Sequence, residues 1–119
     1  MTEDGDRTVQ YHFRIMGLTV EGIEELRSLA VGLPVRQGKH YRDERVSVVT
    51  IPIEEDADYS WLASFLSRHG IGQDLYGVYI SLTTSRDEDG VGLPSHVLAL
   101  SRSVGGTVDF SFCSIPDEA

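Results

Sequence analysis

Leu75-Tyr76-Gly77-Val78-Tyr79-Ile80-Ser81-Leu82-Thr83-Thr84 decides how the rest of the chain is read. Its apolar residues fall on alternate positions, Tyr76, Val78, Ile80 and Leu82 on one face and Tyr79, Ser81 and Thr83 on the other. That period of two is a strand with one buried side. Downstream, Ser85 to Gly92 is a polar loop. Pro94 stands where helices begin, and Leu93, Val97, Leu100 and Val104 keep the spacing of a buried helical stripe. Gly105-Gly106 ends that helix. Thr107 to Ile115 follows as a strand with Val108, Phe110 and Phe112 facing inward and Asp109, Ser111 and Cys113 on the second face.

Upstream, Val9, Tyr11, Phe13 and Ile15 mark an opening strand. Thr19 can cap a helix carrying Ile23, Leu26, Leu29, Ala30 and Leu33 at helical spacing, with Gly32 and Pro34 stopping it. Arg36 to Arg45 holds a short strand and a turn. Val46 to Ile53 is a firmer strand whose alternation slips at Val48-Val49, which predicts a bulge, and Pro52 predicts an edge or a strand end. Asp56 or Asp58 is the expected cap of a second helix with Trp61, Leu62, Phe65 and Leu66 inside. The order β-α-β-β-α-β-α-β predicts a single α+β domain over 1–119. Its first six elements would form a ferredoxin-like split βαβ core, extended by a C-terminal helix and strand, as a mixed five-stranded sheet with helices on one face. The expected core is Trp61, Leu62, Phe65, Leu66, Leu26, Val97, Leu100, Val78, Ile80, Phe110 and Phe112. The ends, 1–7 and 116–119, are expected to be flexible.

Nineteen acidic against ten basic residues give 119 residues a formal charge of −9. Such a surface repels nucleic acid and anionic membranes and steers basic partners toward itself. The acidic N-terminus is unlike a secretory signal, no apolar run reaches spanning length, and Cys113 is the single cysteine. The cytoplasm is the expected location.

No catalytic, metal or cofactor pattern stands out. His12, His40, His69 and His96 lack ligand spacing. Cys113 sits mid-strand, where nothing stabilises a thiolate. Asp87-Glu88-Asp89-Gly90 starts like a calcium loop but lacks its remaining ligands. Arg36, Lys39, His40, Arg42 and Arg45, the basic cluster, pair most economically with the chain's own carboxylates. Glu54-Glu55-Asp56-Ala57-Asp58 is different, because four carboxylates in five residues repel one another unless water or a cation faces them. Asp56 and Asp58 suit a helix N-terminus, while Glu54 and Glu55 lie ahead of it. These four, with Tyr59 and Tyr79 as aromatic anchors and the loop at Asp87, Glu88 and Asp89, form the candidate partner-binding set.

The chain also resembles a family of small bacterial α+β proteins, some of whose members sit beside polymorphic toxin genes. The matching residues are Phe13-Arg14-Ile15-Met16-Gly17, Gly32-Leu33-Pro34, Gly38-Lys39, Trp61 and Gly105-Gly106-Thr107-Val108-Asp109-Phe110. The resemblance implies an immunity protein, a non-enzymatic cytoplasmic inhibitor that binds and sterically blocks a cognate toxin with a basic surface. The alternative is a small-molecule sensor that dimerises through its sheet, and homodimerisation stays open under either reading. An enzyme using His12 or His96 with a carboxylate ranks last.

Overall fold

The computed structural model describes residues 7–39, 45–84 and 93–114. The elements run β1 (Arg7–Met16), α1 (Val20–Leu29), β2 (Arg36–Lys39), β3 (Ser47–Pro52), α2 (Leu62–Arg68), a 3₁₀ turn (Gln73–Leu75), β4 (Tyr76–Thr84), α3 (Ser95–Val104) and β5 (Thr107–Ser114). The strands form one sheet in the order β2-β3-β1-β4-β5. All pairings are antiparallel except β4 with β5, which run parallel because α3 carries the chain back between them. A parallel pair needs such a crossover. This is the mixed α+β arrangement with three helices that the element order predicts.

One apolar core unites the molecule. Phe13 and Ile15 of β1, Val49 and Ile51 of β3, and Val78 and Ile80 of β4 supply the sheet's side. Ile23 and Leu26 of α1, Leu62, Phe65 and Leu66 of α2, and Val97 and Leu100 of α3 supply the helices' side. Thr19 caps α1, its hydroxyl accepting from Gly22 N at 3.1 Å. In the middle of the same helix, Glu25 accepts from His69 Nε2 at 2.8 Å and from Arg68 at 2.6 Å, which ties the end of α2 to α1. Those two partners, His69 first, hold the Glu25 carboxyl below its usual range.

The β4–β5 junction depends on two glycines. Gly106 has φ +93°, and a Cβ there would meet the Tyr76 carbonyl oxygen at 2.5 Å. Gly77 lies in register with Arg14 on one side and Thr107 on the other, and any Cβ would collide with the Thr107 backbone. Only a residue without a side chain lets the strands approach this closely.

Several sequence-based expectations change. β3 pairs without a bulge, since Met16 to His12 face Val48 to Pro52 in unbroken register. Val48 takes its turn on the second face while Val49, Ile51 and Ile53 are buried. β3 is interior, not an edge; Pro52 ends it, two residues beyond the last pairing with β2 at Thr50, so its missing N–H costs nothing there. Neither Asp56 nor Asp58 caps α2, which starts one turn later at Leu62 with Trp61 in the cap position. Pro94 takes the cap position of α3, one residue ahead of the helix. Trp61 is half-buried against the core, its ring edge-on to Phe65 at 6.1 Å. Phe110 is 52 % exposed, because β5 is the end strand and nothing flanks it on its outer side among the described residues. The Phe112 side chain, the expected tail at 116–119 and most of the expected flexible opening lie outside the described residues. Arg7, the last residue of that opening, already pairs with Thr84.

Candidate functional site

The acidic loop leaves β3 at Pro52 and is fixed before it reaches α2. The Tyr59 hydroxyl donates to Pro52 O at 2.7 Å and accepts from Glu54 N at 2.8 Å, so one side chain closes the loop at both ends. Trp61 Nε1 donates to Asp58 O at 2.9 Å. Asp58 accepts from Ser60 N at 3.0 Å, a local turn that replaces the expected helix cap. That amide, with the Ser60 hydroxyl, draws the Asp58 carboxyl below its ordinary pKa. Burial raises the Tyr59 phenol above its ordinary 10; the Glu54 and Asp56 charges add to the rise and the Glu54 amide opposes it.

Neutral groups therefore hold the backbone, and the remaining carboxylates are left outside. Glu54, Glu55 and Asp56 are exposed, and none bonds to another described residue through its side chain. The loop separates two clefts. One, of about 440 Å³, lies against α3, with Ala57, Ala99 and Leu100 as its apolar wall and Glu54, Glu55, Tyr59, Ser60, His96 and Ser103 as its polar groups. The other, of about 360 Å³, joins Asp56, Asp58 and Trp61 to Leu29, Ala30, Val31 and Leu33 at and just past the end of α1. An apolar wall under a carboxylate rim suits the stem and head of a Lys or Arg side chain.

Tyr79 is elsewhere. It lies on the sheet's second face, beneath the Arg14 guanidinium at 4.6 Å from the ring centroid. Arg14 also donates to Asp109 Oδ2 at 2.9 Å, and the Thr107 hydroxyl donates to the same oxygen at 3.1 Å. His12, in register with Tyr79, is held below its ordinary 6.5, first by burial and then by Arg36. Of the candidate set, then, Glu54, Glu55, Asp56, Asp58 and Tyr59 come together, Tyr79 belongs to a separate polar cluster, and Asp87, Glu88 and Asp89 lie outside the described residues. Cys113 is placed on β5 opposite Thr83, with its side chain outside the description. Arg36 and Lys39 are both exposed on β2.

Sequence reasoning overlooked His96 and Ser103 as cleft residues, and the Arg14–Asp109 pair altogether. The first pair sits in the first and third turns of a helix whose inward stripe was legible, but which loop it faces depends on the crossover. The second spans 95 residues. Among the described residues no group of three or more His, Cys, Asp or Glu could hold a metal, and no helix is long and apolar enough to cross a membrane. No family model, no curated protein and no solved structure matches the chain.

Proposed function

We infer that this is an immunity-type protein, a non-enzymatic inhibitor whose acidic loop docks on a basic toxin domain and blocks it sterically. The observation that carries the reading is the contrast inside the loop itself. Its backbone is clasped by Tyr59 and Trp61 while Glu54, Glu55 and Asp56 stay solvated and unpaired among the described residues. Repelling carboxylates gain nothing from being held in one arrangement unless a cation is to meet them. A rigid acidic rim loses little entropy on binding, and its field speeds encounter. The adjoining cleft supplies the apolar contact that slows dissociation, by taking a Lys or Arg side chain along Ala57, Ala99 and Leu100.

The strand order supports a finer architectural reading as well: β1 to β4 with α1 and α2 as a ferredoxin-like split βαβ core, helices on one face, and α3–β5 added as one more crossover. Arg14 is already engaged by Asp109, which leaves Arg36 of β2 as the exposed guanidinium of the second face. That weighs against a sensor that binds its ligand through Arg14.

The test is co-expression with a toxin domain encoded beside this gene. A one-to-one complex that suppresses toxicity and loosens as salt rises is expected. A protein that leaves the toxin active and unbound, in cells where it is folded and abundant, contradicts the reading.

A further inference from the structure

We propose that β5 is a homodimerisation edge, along which a second copy of this chain pairs antiparallel about a two-fold axis and extends the sheet from five strands to ten. The sheet has two ends, and they are built differently. β2 is four residues long, wholly exposed, and carries Arg36 and Lys39 beside Gly38. Short length and basic side chains are the usual means of keeping an edge from pairing. β5 is eight residues long and has no Lys, Arg or Pro. Val108 and Phe110 are 53 % and 52 % exposed, although they stand in register with Val78 and Ile80, which are 1 % and 3 % exposed. The core face of the sheet therefore runs on past its last strand, uncovered among the described residues.

Charge identifies the occupant as a second copy. In a chain of −9, residues 93–114 hold one Arg (102) and one Asp (109), so α3 and β5 together net zero. Asp109 is moreover neutralised by Arg14 at 2.9 Å. Among the described residues of α3 and β5 a basic partner finds no free carboxylate, whereas a second like-charged chain can approach them without facing acidic side chains there. The strand's alternation is also self-complementary. A two-fold that sets Phe110 opposite its own mate places Asp109 opposite Ser111 and away from the other Asp109, and an isologous pair of this kind closes without forming fibres. The toxin-binding loop is on other elements, so the two interactions stand or fall separately.

Sedimentation equilibrium of the full chain over a range of concentrations tests this, at low and at high salt. A monomer–dimer equilibrium that tightens with salt is expected, the reverse of the salt effect on a basic partner. Phe110→Lys, at an exposed position, should stay monomeric with an unchanged melting curve. Wild-type protein that remains monomeric at every concentration and salt overturns the proposal, as does a dimer that survives in a folded Phe110→Lys variant. Should that variant fail to fold, amide exchange in wild-type 107–114 decides. Protection that rises with concentration supports the dimer, and protection that does not change with concentration, or that appears only with a different protein, overturns it.

Discussion

The acidic loop and the second face of the sheet are both rich in charged and polar side chains, and they dispose of them in opposite ways. Around β1, β4 and β5, Arg14 lies over Tyr79 and reaches Asp109, which also takes the Thr107 hydroxyl, so this pair of charges is consumed internally. In the loop the internal bonds go to the backbone, from Tyr59 and Trp61, and the carboxylates of Glu54, Glu55 and Asp56 are left over. The same residue classes thus make a closed surface in one place and an open one in the other. A surface that answers its own charges is structural. One that fixes its backbone and leaves its charges unanswered is the arrangement that the proposed docking on a basic partner requires.

The sharpest way to break this contrast is to disturb the closed surface where it is tightest. Gly77→Ala sets a methyl group against the Thr107 backbone. It should destabilise the fold by about 2–3 kcal/mol in chemical denaturation, by prising β5 from β4. A loss under about 0.5 kcal/mol would mean that the strands part easily and that the second face is not closed.

Tyr59→Phe probes the other side of the comparison. It deletes the hydroxyl that bonds Pro52 O and Glu54 N and leaves the ring in place. A loss of about 1–2 kcal/mol is expected, with faster amide exchange at Glu54. Unchanged exchange there would show that the loop is held by something other than Tyr59.

A smaller effect follows from His12. Its folded-state pKa lies below the unfolded 6.5, through burial and then Arg36. The folded chain therefore binds this proton less readily than the unfolded one, and stability should fall as pH drops from above 6.5 through the folded value. His12→Asn should flatten that slope in thermal melts between neutral and mildly acid pH. An unaltered slope would assign the dependence to other groups.

Much of this was legible in the chain. The alternation of Tyr76, Val78, Ile80 and Leu82 reports directly which side of β4 is buried, and Thr19 marks the start of α1, because both are local patterns with local causes. The failures share a reason as well. Phe110 has the same alternation as Ile80, but exposure at an end strand is set by the order of strands, which no single strand encodes. Val48-Val49 resembled a slip only because the second face tolerates a valine next to Met16. Asp58 had the right chemistry for a cap, and Ser60 took it for a turn first. The acidic loop was visible as charge, whereas the larger cleft beside it exists only once α3 brings His96 and Ser103 close.

The central claim, the proposed docking through Glu54 and Glu55, is tested most directly by association kinetics with a toxin domain encoded beside this gene. These two side chains carry no structural bond to another described residue, so Glu54→Lys/Glu55→Lys should melt like the wild type. At low salt its on-rate should be about tenfold slower, with the off-rate within about twofold of wild type and the difference shrinking as salt rises. An unchanged on-rate at low salt in a folded double mutant would contradict the account and take this loop out of the interface.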